Sequence, residues 1–154
     1  MTRSVDLNCD MGEGAGSDAA LMELVTSANI ACGGHAGDEE SMRVAVREAV
    51  RRGVAVGAHP SYPDQAGVGR GMMNLSAAQV EACVTDQVGR LSEIARQEGA
   101  KLNHVKPHGA LYHAAMIERE LAEAVVAGVR RVRRELILIG QAGMEGLVWW
   151  RAMG

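Results

Sequence analysis

Phenylalanine is absent from the 154 residues, and aromatic residues of all kinds make up 3%. A core must then be built from Ala, Val, Leu, Ile and nine Met rather than from stacked rings. Cysteine is scarce: Cys9, Cys32 and Cys83 form an odd set with no CxxC spacing. That argues against a disulfide framework or a structural zinc motif and for reduced thiols in a cytoplasmic protein. No apolar run approaches the ~20 residues that span a bilayer, so no membrane segment is expected. Met1 to Asp10 lack a basic-then-apolar leader, so export is not expected. An excess of basic charge is missing too. Lys and Arg number 16 against 19 Asp and Glu, for a net charge of -3, which argues against a nucleic-acid groove as the main surface. Apolar residues at 47% and charged residues at 23% argue against disorder.

What is present is a rhythm. Short apolar runs at Val5 to Asn8, Asn29 to Cys32, Val54 to Ala58, Leu102 to Val105 and Leu136 to Ile139 read as strands, with helical patterns between them. After the first strand, Asp18 is expected to cap a helix with Leu21, Leu24, Val25 and Ala28 on one face. Asp38 suits the cap of a second helix, which buries Met42, Val46, Ala49 and Val50 and stops at Gly53. Ser76 and Gln79 form a capping box for a third, which buries Val80, Val84, Val88, Leu91 and Ala95 and ends at Gly99. A fourth is expected from about Ala114 to Arg134, with Ile117, Leu121, Val125, Val129 and Val132 in line. A further helix begins near Gly146.

Alternating strands and helices predict an α/β fold with a parallel sheet, in one domain over residues 1–154. Short apolar strands suggest that both sheet faces are buried. Five strands suit an open doubly wound sheet. They equally suit the first part of a β/α barrel, and periodicity does not choose between the two.

The ionisable residues are not scattered. Asp10 and Glu13 follow the first strand, His35 and Asp38 the second, His59 and Asp64 the third, and Lys106 and His108 the fourth. Parallel strands point their carboxyl ends the same way, so these residues are expected to meet on one rim, where α/β proteins bind ligands. Other residues have plainer readings. His104 lies inside a strand and reads as structural, His113 as solvated, and Cys9 and Cys32 as small core residues. Lys106 is either a catalytic or phosphate-binding amine or half of a salt bridge. The Gly67 to Gly71 stretch with Arg70 either approaches an anion or is a surface loop. Neither it nor Gly12 to Gly16 has a nucleotide-binding spacing. The basic run Arg130 to Arg134 reads as a helix C-terminus favoured by the dipole.

Four segments resemble the LamB/YcsF family, the A subunits of bacterial ATP-dependent 5-oxoprolinase. They are Asp6-Leu-Asn-Cys-Asp-Met-Gly-Glu-Gly14, Ala28-Asn-Ile-Ala-Cys-Gly-Gly-His-Ala-Gly-Asp38, Gly57-Ala-His-Pro-Ser-Tyr-Pro-Asp64 and His104-Val-Lys-Pro-His-Gly-Ala-Leu-Tyr112. The resemblance implies an irregular β/α barrel of the glycoside hydrolase/deacetylase kind, here a partial barrel of five parallel strands. A complete barrel takes about 250 residues, so the last third is expected to be missing. Gly34 and Val68 stand where the family usually has Phe, and Gly71 often stands where it has Arg.

By the same resemblance, the activity is opening of the lactam of 5-oxoproline to glutamate, driven by ATP with Mg2+, in a cytoplasmic complex with subunits B and C. Asp10, Glu13, Lys106 and His108 are the expected catalytic residues, as base, phosphate or oxyanion partner and proton carrier. Asn8, His35, His59 and Arg70 are the expected substrate-binding residues. Analogy with deacetylases of the superfamily adds a divalent metal on Asp10, His59 and His108. The alternatives are a metal-dependent amidase or deacetylase, and a chain that binds without catalysing. A second copy of the chain is one way to cover the strand edge that a partial barrel exposes.

Overall fold

A computed structural model describes residues 4–154. The first three residues of the Met1 to Asp10 stretch lie outside it. The elements run β1 (Asn8–Met11), α1 (Asp18–Leu21), β2 (Ser27–Ala31), α2 (Glu39–Arg52), β3 (Ala55–His59), α3 (Ala77–Gln97), β4 (Leu102–Val105), α4 (Gly109–Ile117), α5 (Arg119–Val132), β5 (Ile137–Leu138) and α6 (Glu145–Ala152). All strand pairs are parallel, and the sheet order is β1-β2-β3-β4-β5. A doubly wound sheet reverses its strand order at a switch point. This order never reverses. Successive right-handed crossovers therefore stack their helices on one face, which is the winding of a β/α barrel.

The two sheet faces differ because side chains alternate along a strand, save in β4, where a register shift opposite Val56 and Gly57 puts Leu102 in the core and His104 on the other face. Met11, Ala28, Ile30, Val56, Ala58, Leu102 and Val105 belong to the buried core, together with Met42 and Val46 of α2, Val84, Val88 and Leu91 of α3, and Val125 and Val129 of α5. A fully buried Leu, Ile or Met side chain contributes about 1.5–3 kcal/mol. The opposite face carries Asn8, Asp10, Ser27, Asn29, His59 and His104, linked side chain to side chain. Both faces are thus buried, as expected, but this one is polar: Ser27, Asn29, His59 and His104 are all buried.

Capping residues set the helix starts as the sequence implied. Asp38 accepts from the Ser41 backbone N–H at 2.8 Å, and the Ser41 hydroxyl faces the Asp38 N–H. Ser76 and Gln79 exchange the same pair of bonds. Gly53 ends α2 in the left-handed conformation, after Arg51 and Arg52 in the last turn. β4 spans the expected residues.

Other boundaries move. β1 begins three residues later than expected, because Val5 and Leu7 face solvent. α1 is a single turn. The Asp18 carboxylate accepts from the Gly12 N–H at 2.7 Å rather than capping the helix, Leu24 is exposed, and Ala28 lies in β2. Val50 is exposed on α2. The helix expected from Ala114 to Arg134 is two helices. Glu118, with extended backbone, ends α4 and starts α5, and Ile117 is exposed at the joint. α3 ends at Gln97, two residues before Gly99. β5 is only Ile137–Leu138. Arg130 reaches the carbonyls of Met153 and Gly154, and Arg131 pairs with Glu81. No helix among the described residues is long and apolar enough to cross a membrane.

Candidate active site

The strand ends bring the predicted residues together. Asn8 and Asp10 come from β1, Glu13 from the turn after it, His35 from the loop after β2, and His59 from the last position of β3. Lys106 and His108 follow β4. The Lys106 ammonium donates to both Asp10 oxygens, at 2.8 and 3.1 Å, so this lysine is half of a salt bridge at the rim. Asn29 donates to Asp10 Oδ1 at 2.7 Å and to Asn8 Oδ1 at 2.5 Å. Burial pushes the Asp10 carboxyl up. His59, when it carries a second proton, and then Lys106 and Asn29 more than offset this, leaving it well below the usual carboxylate range. The pair remains open to ligand: the Asp10 and Lys106 side chains are 34% and 26% exposed.

Beside this pair sit three imidazoles and a second carboxylate. Glu13 Oε1 lies 2.8 Å from His35 Nε2, 3.4 Å from His108 Nδ1 and 3.6 Å from His59 Nε2. The His35 and His108 rings stack at 3.7 Å, and His59 meets both edge-on. Burial holds the His35 imidazole down to about 4 and lowers His108 below its ordinary value. Two backbone carbonyls fix two of the rings. His59 Nδ1 is 2.6 Å from the Lys106 oxygen, and His108 Nε2 is 3.0 Å from the Val68 oxygen. A carbonyl only accepts, so those nitrogens carry the protons. Glu13, His35, His59 and His108 each offer one ligand atom within 4.8 Å of the others, a set that can hold a metal ion.

The Gly-rich loop belongs to this site. Val68 has φ +51°, a strained value for a β-branched residue, and its carbonyl faces His108. The Gly69 carbonyl accepts from the Ala110 N–H at 2.9 Å, and a side chain at Gly109 would strike that carbonyl. Arg70 is exposed on the loop and makes no ion pair among the described residues. Asp38 and Asp64 stay outside the cluster. The first caps α2 and the second accepts from the Gly67 N–H at 2.8 Å.

His104 is structural, as expected. It bonds Asn29 Oδ1 at 2.8 Å and lies where any side chain at Gly57 would collide with it. Cys32 is buried, with its thiol pushed up to about 12 by burial. Cys9 is half-buried, and His113 is exposed on α4, as expected. Sequence reasoning missed Asn29, the hub of the polar face. Its signal was the alternation Ser27-Ala28-Asn29. It also missed Tyr112, whose phenol is pushed up by burial and by the Asp10 charge.

Comparison with known proteins agrees with this construction. The structure of a lactam utilization protein from Thermus thermophilus superposes with a TM-score of 0.93 at 44% identity, over 97% of this chain and 63% of that one. The chain thus spans less than two thirds of that relative. A protein from Enterococcus faecalis named for cellobiose-phosphate cleavage shares the fold at 13% identity, with a TM-score of 0.58 over 94% of this chain and 61% of that one. The profile of the LamB/YcsF family matches residues 5–154, and the chain belongs to that family.

Proposed function

We propose that this chain is the lactam-opening component of an ATP-dependent 5-oxoprolinase. In this reading it acts in the cytoplasm with subunits B and C and converts 5-oxoproline to glutamate. The observation that carries it is the Asp10–Lys106 pair set beside Glu13 and three imidazoles on one rim. The relative named for lactam utilization supports the substrate class.

A lactam carbonyl is a poor electrophile, and phosphorylation of its oxygen makes it a better one. The lactam oxygen attacks the γ-phosphorus of ATP, with Mg2+, and ADP leaves. Water loses a proton to a carboxylate and adds to the activated ring carbon. The C–N bond then breaks as nitrogen takes a proton, leaving γ-glutamyl phosphate. A second water releases phosphate and glutamate. Lys106 and Arg70 are the cations for phosphate and oxyanion charge. Glu13 is the carboxylate nearest the imidazoles and suits the base. Asp10, held ionised, orients Lys106. His59 and His108 carry protons, while Asn8 and His35 fix polar groups of the substrate.

The test is glutamate release from 5-oxoproline by the chain mixed with subunits B and C. The reading expects release only with ATP. Release without nucleotide would instead favour an amidase of the same barrel class, in which a divalent cation supplies Lewis acidity to the amide carbonyl. No release under any condition would leave a chain that binds without catalysing.

A further inference from the structure

We propose that Glu13, His59 and His108 form a site for one divalent transition-metal cation, with His35 stacked on His108 and holding Glu13 in place. The proposal does not rest on the lactam reading; a bound cation takes the Glu13, His59 and His108 lone pairs, so the base and proton-carrying roles given above belong to the metal-free chain. It differs from the metal set that the deacetylase analogy implied, because both oxygens of Asp10 are already engaged by Lys106.

In its neutral form His59 keeps its proton on Nδ1, facing the Lys106 carbonyl, so Nε2 offers only a lone pair. Neutral His108 keeps its proton on Nε2, facing the Val68 carbonyl, so Nδ1 does the same. These two acceptors lie 3.0 Å apart, where neither can donate to the other. Glu13 Oε1, a third acceptor, is 3.4 and 3.6 Å from them. Three lone pairs thus converge where an electrophile belongs. One proton joins only two of them, whereas a cation satisfies all three.

Spacing and surroundings fit the same occupant. Ligands at ~2.0–2.1 Å around a tetrahedral zinc lie ~3.3 Å from one another. The three separations of 3.0, 3.4 and 3.6 Å bracket that value. Backbone carbonyls that hold the remote N–H of ligating imidazoles are the usual outer support of a metal centre. His35 is 2% exposed, has Nε2 against Glu13 and leaves Nδ1 without a hydrogen-bond partner. Two imidazoles and one carboxylate suit zinc, cobalt or nickel better than magnesium or calcium, which prefer all-oxygen shells.

The test is calorimetric titration of the metal-stripped chain with Zn2+ and Co2+, with no nucleotide or 5-oxoproline present. Cobalt absorption reports the coordination. One equivalent per chain is expected, with an imidazole-type visible band. His59→Ala and His108→Ala should each weaken binding at least 10-fold, and the exposed His113→Ala should not change it. Glu13→Gln keeps the shape of the side chain and serves if a histidine variant fails to fold. It should also weaken binding at least 10-fold. Absence of saturable binding by the wild-type chain would overturn the site. So would affinity unchanged in folded Glu13→Gln or in the folded histidine variants. Because no substrate is used, failure here is separable from failure of the oxoprolinase reading.

Discussion

The two faces of the sheet solve opposite problems. The helix-side face packs Met11, Ile30, Val56 and Val105 against α2, α3 and α5, and its contribution is non-directional burial. The other face joins Asn8, Asp10, Asn29 and His104 into one hydrogen-bonded network and hands Asp10 to Lys106 at the rim. A network of that kind adds little net stability, but it is costly to leave half made. The difference teaches that stability and chemistry are divided between faces of the same five strands. A substitution should therefore reveal its face by which property it changes.

The largest stability effect is expected on the helix side. Leu91→Ala removes a fully buried side chain of α3 and should cost about 2–5 kcal/mol in urea denaturation. It should leave the metal affinity of the folded fraction unchanged. A smaller loss is expected from Asn29→Leu, at about 1–3 kcal/mol for the buried His104 left without its partner, since Asn8 keeps Ser27 and Asp10 keeps Lys106. Unlike Leu91→Ala, it should also disturb the rim, which would appear as weakened metal binding. If both variants altered only stability, the division between faces would fail.

Acid should act on the polar side in particular. Burial holds His35 at about 4 and lowers His104 and His108, whereas the unfolded chain protonates its histidines near 6.5. In that window the unfolded state binds more protons, so stability rises with pH. The contribution is complete above about pH 6.5 and is lost as pH falls toward 4. A urea midpoint that is flat between pH 7 and 4.5 would contradict the burial of neutral rings. The smallest effect is expected at Val68, where glycine relieves a left-handed backbone worth roughly 1–2 kcal/mol but loosens the unfolded chain by a comparable amount. Val68→Gly should change stability by less than about 1 kcal/mol. It should nevertheless weaken the hold on His108, which would be read in the chemical shifts of that ring.

Much of this was legible in the sequence because local rules were obeyed. Asp38 with Ser41, and Ser76 with Gln79, are capping signals that survived folding intact. The rim was legible for a topological reason. Parallel strands end on one side, so Asp10, Glu13, His35, His59, Lys106 and His108 had to converge. The break at Glu118 was not legible, since Ile117-Glu118-Arg119 contains no Gly or Pro and the apolar spacing runs through it. Val5 and Leu7 looked like strand residues, yet among the described residues both are exposed. The polar face was hidden because Asn29 sits inside Ala28–Ala31, which reads as apolar when averaged. The Val68 carbonyl that sets the His108 tautomer has no sequence signature, because any residue supplies a carbonyl.

The central claim is that the rim cluster is where the lactam is opened. Its most direct measurement is the rate of glutamate release from 5-oxoproline by Asp10→Asn in the complex with subunits B and C and ATP. The account predicts a rate at least ~100-fold below wild type for the folded variant, because Lys106 loses its anionic partner while the helix-side core is untouched. A wild-type rate in that variant would contradict it.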